Sequence, residues 1–336
     1  MSSVAVVGCG YWGKNLVRNF AQLGALQVVC DSDNSALERV VSQCPSIRTT
    51  RNFEDVIADN DLDAVVIATP AVAHYAQVKA ALEHGKDVFV EKPLAVHYSE
   101  GVELVQLAER QDRILMVGHI LEYHPAVTEL RKVVASGELG DLRYIYSNRL
   151  NLGKVRREEN ILWSFAPHDV SLILRLAGSE PEWVRATGSS YLQPNIVDVT
   201  TTHLGFAGGI GSHVFVSWLH PYKEQRLVVI GARKMAVFDD TMREGKLKIF
   251  DKGIEWDDDV PVARHTAETT LFIEDAEPLR IECEHFLRAI TDRSTPLTDG
   301  RSALSVLKVL EASQVSLERD GQRVRLIELE GGDHGE

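Results

Sequence analysis

The sequence predicts an α/β protein of two domains. Residues 1–120 read as a doubly wound parallel sheet, and residues 121–330 as an α+β domain on a large, mostly antiparallel sheet. Three observations carry this. Over the first 120 residues, short apolar runs such as Ala64-Val-Val-Ile-Ala68 alternate with helical stretches, the pattern of a parallel sheet covered on both faces. After His119 the runs alternate apolar and polar residues, with hairpin-like joints such as Ala207-Gly-Gly209. The first strand, residues 4–7, runs straight into Gly8-x-Gly10-x-x-Gly13 and a helix-compatible stretch over residues 15–23.

In order, the first domain reads as strand 4–7, helix 15–23, strand 26–30, helix 35–43, short strand 48–50, helix 53–58 and strand 64–68. Helix 73–84 follows, closed by Gly85 as a C-cap, then strand 87–91, helix 99–111 and strand 114–118. The second domain opens with helix 126–136, stopped by Gly137, and strand 142–150. Residues 158–177 read as a helix around a loop-like Ala-Pro-His centre. Strands are expected at 183–191, 197–206, 210–218, 226–231, 234–239 and 247–250. Asp257-Asp-Asp259 and the stretch around Glu274 read as solvated loop. Helices 281–291 and 302–319 close the chain, the second capped near Asp299 or Gly300 and both able to pack back on the first domain. The last six residues read as loose. Strand 210–218 carries apolar bulk on both faces, so the face without helices calls for a second subunit. A homo-oligomer, dimer or tetramer, through this sheet is expected.

Composition narrows the class. With 336 residues, 44% hydrophobic and 25% charged, the chain suits two globular cores. A net charge of −13 argues against a general nucleic-acid or anionic-membrane surface, while leaving room for an anionic small molecule held by clustered arginines. No apolar run approaches the ~20 residues of a membrane span. Met1-Ser-Ser leads directly into a strand, so no signal peptide is expected. Cys9, Cys30, Cys44 and Cys283 show no CxxC spacing, so reduced thiols in a cytoplasm are expected.

The glycine motif has a physical reading. Gly8 makes the tight turn out of the strand, Gly10 lets backbone approach a pyrophosphate, and Gly13 lets helix and strand pack closely. The helix N-terminus then directs unpaired N–H groups and its positive end at the phosphates. Asp31 ends the second strand, 18 positions after Gly13, where an acid accepts from the ribose hydroxyls and repels a 2′-phosphate. Asp33 adds negative charge and Arg39 is too far along to pair with a phosphate, so NAD is favoured over NADP. Three more polar stretches stand at strand ends, where this fold holds its ligand: Ala68-Thr69-Pro70 with His74, Glu91-Lys92-Pro93, and Gly118-His119.

These motifs and the two-domain layout resemble the Gfo/Idh/MocA oxidoreductases over nearly the whole chain, Glu91-Lys92-Pro93 being the most specific piece. The resemblance implies a Rossmann domain with Gly8, Gly10, Tyr11, Trp12, Gly13 and Asp31 at the cofactor. It also implies Thr69, Pro70 and His74 lining the cofactor pocket, Glu91 beside the nicotinamide ribose, and Pro93 shaping the nicotinamide site. Lys92 would contact the reacting hydroxyl or carbonyl. The family's Asp-x-x-x-His motif maps onto Ser164 and His168, with serine where the aspartate usually stands. That departure leaves Lys92 and His168 as the catalytic pair, either of which could be the base.

The stretch 148–169 is similar to family members acting on nucleotide sugars, notably UDP-N-acetylglucosamine 3-dehydrogenases, whose 3-keto product goes to an aminotransferase. In that reading Lys154, Arg156 and Arg157 offer donors to a diphosphate, Asn160 binds sugar hydroxyls or an acetamido group, and His119 adds to the substrate side with Lys92 and His168. A charged loop balanced by Glu158 and Glu159 is the plain alternative. Other functional readings are an NADPH-dependent keto-sugar reductase, a free polyol or inositol dehydrogenase, and a non-catalytic sensor of NAD(H). No metal site is expected, since His119, His124, His203, His213 and His220 lack ligand spacing.

Overall fold

The protein is described from a computed structural model covering residues 2–153, 155–157 and 159–330. The chain divides into two compact units: Met1–Tyr123 with Ala276–Leu307, and His124–Asp275 with Lys308–Glu336.

The first unit holds β1 (Val4–Val7), α1 (Gly13–Gln22), β2 (Leu26–Cys30), α2 (Asn34–Gln43), β3 (Arg48–Thr50), α3 (Phe53–Ala58), β4 (Ala64–Ile67), α4 (His74–Glu83), β5 (Asp87–Glu91), α5 (Tyr98–Arg110) and β6 (Leu115–Gly118). The six strands lie in the order β3-β2-β1-β4-β5-β6, all parallel. The doubly wound expectation holds. The order reverses between β1 and β4, so the loops after these two strands face the crevice where such sheets take their ligand. Strand residues are buried on both faces, as their unbroken valine and isoleucine runs require. Two later helices are α8 (Pro278–Asp292) and α9 (Gly300–Glu318), and α8 belongs to this unit. Phe286 of α8 meets Phe20 and Phe89 edge-on at 6.4 and 5.5 Å.

The second unit comprises α6 (Pro125–Ala135), β7 (Leu142–Leu150), α7 (Ile161–Ala177), β8 (Trp183–Ser189), β9 (Val199–Gly205), β10 (Gly211–Ser217), β11 (Glu224–Gly231), β12 (Met235–Asp239), β13 (Leu247–Asp257), β14 (Val260–Leu271), β15 (Val324–Arg325) and α10 (Ile327–Glu330). Its nine strands run β14-β13-β12-β11-β7-β10-β9-β8-β15, and β7–β10 is the one parallel pairing. The mostly antiparallel sheet is thus as expected. Helix α7 covers the face carrying Ile145, Val214 and Val216. The other face presents Tyr144, Tyr146, His213 and Phe215, all half-buried.

Several elements differ from expectation. Residues 161–177 form one unbroken helix through Pro167, so the Ala-Pro-His centre is not a loop. Asn160 caps its start, its side-chain oxygen accepting from Trp163 N at 3.2 Å, and Gly178 ends it in left-handed geometry at φ 72°. The run Asp257-Asp-Asp259 is the end of β13 and the turn of a long β13–β14 hairpin, with Asp258 and Asp259 at φ 45° and 65°. Strand β14 and the two-residue β15 were not expected. Among the described residues, no helix is long and apolar enough to cross a membrane.

Candidate active site

The glycine loop is built by close approach. Gly8 lies at φ 88°, and a Cβ there would sit 2.8 Å from the Ala68 carbonyl carbon and oxygen. At Gly13 a Cβ would fall 1.9 Å from the Gly8 carbonyl oxygen. These two glycines let the loops after β1 and β4 meet and α1 begin at once. Gly10 has nothing within 4 Å of where its Cβ would be, so this stretch of backbone faces open space. No side chain caps α1; Lys14 N and Asn15 N donate to Gly10 O and Trp12 O at 3.3 and 2.9 Å, which leaves the Gly13 N–H and the positive end of the helix for a phosphate oxygen. Asp31 accepts from Cys9 N at 2.7 Å through one oxygen and from Asp33 N at 2.9 Å through the other. It therefore pins the loop to β2 while keeping lone pairs for ribose hydroxyls. An open backbone at Gly10, a bare helix start and an anchored acid fit a dinucleotide.

The strand-end residues join the same unit. Trp12 Nε1 donates to Glu91 Oε1 at 2.5 Å, tying the glycine loop to the turn after β5. Tyr11 is largely exposed beside it, with the Lys14 ammonium 5.5 Å from its ring centre. Gly118 faces Glu91 so closely that a Cβ would lie 2.9 Å from Oε2. Burial raises the Glu91 carboxyl to about 7, against the lowering pull of the Trp12 bond and the Lys92 charge. Beneath it, Glu282 of α8 is fully buried, and neither of its carboxyl oxygens has a hydrogen-bond partner among the described residues. Burial first, and the Glu91 charge second, hold the Glu282 carboxyl well above the carboxylate range.

Lys92 is half-buried and followed by a cis peptide to Pro93. His74 is buried and bridges two strand-end turns, Nδ1 lying 2.7 Å from Pro93 O and Nε2 2.9 Å from Thr69 O. Burial is the main cause that lowers its pKa, against the raising pull of the two carbonyl bonds. Its position is that of a brace. Thr69 Oγ1 donates to Gln77 Oε1 at 2.6 Å, Pro70 is exposed, and His119 is buried after β6.

In the second unit, His168 is half-buried on α7, and Ser164 lies one turn before it on the same face. The next residue, Asp169, is buried and meets β7: Arg149 Nε donates to Oδ2 at 2.6 Å, and Ser147 Oγ donates to Oδ1. Nothing in the sequence marks this network, because β7 carries two arginines, Arg143 and Arg149, and no local pattern tells the buried one from the exposed one. The Asn160 side chain is engaged at both ends, its oxygen in the helix cap and its nitrogen donating to Gln314 Oε1 at 2.8 Å. Arg156 pairs with Glu159 at 3.1 Å, Arg157 is exposed, and Lys154 lies outside the described residues. Lys92 and the cofactor motif belong to the first unit, His168, Asn160 and the two arginines to the second. No group of three or more possible ligands among the described residues could hold a metal ion.

A parallel doubly wound sheet with a glycine loop and acid at its switch point, joined to a second α+β unit, defines a dinucleotide-dependent oxidoreductase. Residues 2–119 match the oxidoreductase family with an NAD-binding Rossmann fold, and residues 127–237 match the GFO/IDH/MocA C-terminal domain. The chain belongs to the Gfo/Idh/MocA oxidoreductases, and its cofactor is NAD. It is 26% identical to the UDP-N-acetylglucosamine 3-dehydrogenase of Acidithiobacillus ferrooxidans, over 95% of this chain and 98% of that protein. The solved structure of that enzyme superposes with a TM-score of 0.83 at 25% identity, covering 95% and 98% of the two chains. The chain is also 26% identical to the scyllo-inositol 2-dehydrogenase (NAD(+)) of Bacillus subtilis, over 96% and 95%.

Proposed function

We propose that this protein is an NAD-dependent dehydrogenase that oxidises the C3 hydroxyl of UDP-N-acetylglucosamine to the 3-keto sugar. An aminotransferase making 3-amino sugars would consume the product. The observation that carries the reading is similarity from end to end, in sequence and in fold, to an enzyme of that name. In this account bound NAD⁺ supplies the acceptor for the C3 hydrogen. Lys92 donates to the substrate oxygen as negative charge develops on it. His168 takes the hydroxyl proton, or Lys92 does in its neutral form. Arg156 and Arg157, together with Lys154, supply donors for the diphosphate. Asn160 contributes through the stretch it anchors. The half-buried aromatic face of the nine-stranded sheet supports a homo-oligomer, dimer or tetramer, assembled through that face, and four unpaired cysteines fit a reducing cytoplasm.

A second reading, oxidation of a free polyol such as an inositol, is favoured by the equally long match at the same identity to the inositol enzyme. The test is incubation with NAD⁺ and a panel of UDP-sugars, dTDP-sugars, inositols and free sugars, with a 3-aminotransferase present to draw off keto product. Reduction of NAD⁺ by UDP-N-acetylglucosamine alone upholds the proposal. Turnover of inositols with no turnover of any nucleotide sugar would replace it with the second reading.

A further inference from the structure

At the β8 and β15 edge of the nine-stranded sheet, the second unit holds a cavity of about 540 Å³ whose wall includes Trp183, Arg185, His203, Asp320, Gly321 and Arg323. None of these residues serves the reaction proposed above. Two guanidiniums are set there by contacts that leave their charge uncancelled. Arg185 gives its Nε–H to the Gly321 carbonyl at 2.7 Å, and the Arg323 guanidinium lies 3.9 Å from the centre of the Trp183 ring. Neither holds an ion pair among the described residues. The scaffold beneath them depends on glycine. A Cβ at Gly205 would strike the Trp183 indole at 2.2 Å, so the ring lies flat on β9 only because that residue has none. Gly321 sits at φ 77°, and a Cβ there would come 2.7 Å from Thr187 Cγ2, so the turn that receives Arg185 is equally constrained.

Asp320 is the one carboxylate on this wall, against two arginines, so the wall carries a net positive charge. That sign is opposite to the chain's net −13. A guanidinium presents a planar fork of donors that matches two oxygens of one phosphate, and two forks match two phosphates. We propose that this cavity is a second binding site, for a small molecule carrying a diphosphate, formed by Arg185 and Arg323 with Trp183 as the platform for Arg323. It uses no residue of the glycine loop and does not depend on which sugar the enzyme oxidises.

The test is calorimetric titration of the full chain with inorganic pyrophosphate in saturating NAD⁺, which keeps the glycine loop occupied. The expected result is saturable binding that weakens at least ~10-fold in Arg185→Ala/Arg323→Ala and also weakens in Trp183→Leu, since each variant removes or frees a charged donor. Both arginines are exposed, so the double variant should keep the wild-type unfolding midpoint and NAD⁺ affinity. No saturable binding to the wild type, or equal affinity in the double variant, overturns the proposal. A change of solution mass in the double variant without pyrophosphate binding by the wild type assigns the arginines to contacts between copies, and overturns it too.

Discussion

Removal of the Asp169 carboxylate leaves the Arg149 guanidinium charged, buried and without its acid. The side chains of this pair are only 9% and 3% exposed, so water can do little to replace the lost partner. Breaking one half of a buried ion pair costs about 3–5 kcal/mol, far above the surface value. For a unit of this size that corresponds to a fall of roughly 6–20 °C in its melting midpoint. Asp169→Asn keeps oxygen and shape but not charge, and should fall between wild type and alanine. Replacing both partners, Arg149→Met with Asp169→Leu, should recover most of the loss, because no uncompensated charge then remains. The assay is urea unfolding followed by far-ultraviolet circular dichroism, run as a double-mutant cycle. An Asp169→Ala protein within about 1 kcal/mol of wild type would refute the reasoning, for that is the range of an exposed pair. The consequence reaches function, since His168 precedes Asp169 on the same turn of α7, directly after Pro167, whose ring removes a helical N–H. Asp169 therefore holds to β7 the part of α7 that has lost a backbone bond.

Four further outcomes follow. Gly13→Ala must push a Cβ against the Gly8 carbonyl and should cost about 1–3 kcal/mol of stability as well as NAD⁺ affinity. Gly10→Ala has room for its Cβ and should fold as wild type, with any loss confined to calorimetric NAD⁺ binding. Glu91, raised from 4.5 to about 7, binds more protons folded than unfolded across that window. Its stabilising contribution is therefore present below pH 4.5 and is lost as pH rises through about 7, and unfolding curves from pH 4 to 8 should show Glu91→Gln free of that decline. Lys92→Ala should lower turnover by ~10²–10⁴ while NAD⁺ still binds, measured as initial rate beside cofactor titration.

The first unit was readable in the sequence because a parallel sheet buried on both faces must be written as unbroken apolar runs, and Val4–Val7, Ala64–Ile67 and Asp87–Glu91 largely are. The second unit was harder. Pro167 read as a break because proline removes a helical N–H, yet the buried apolar sides of α7 and its two caps carry the helix through. The β13–β14 hairpin escaped because its outer half is exposed on both faces and lacks the period-two signal that burial imposes. Within the candidate site, Gly8, Gly13 and Asp31 were visible through spacing to one another. The bond from Trp12 to Glu91, the space Gly118 leaves for that carboxyl and the buried Glu282 were not. Each joins residues far apart in sequence, and no local pattern encodes such a pairing.

The central claim is that C3 of UDP-N-acetylglucosamine gives up its hydrogen to the cofactor. The most direct measurement uses UDP-N-acetylglucosamine carrying deuterium at C3 and mass spectrometry of the reduced cofactor. Transfer of the label to NADH is the predicted result. Unlabelled NADH from this substrate, or no reduction of NAD⁺ while another sugar turns over, would contradict it.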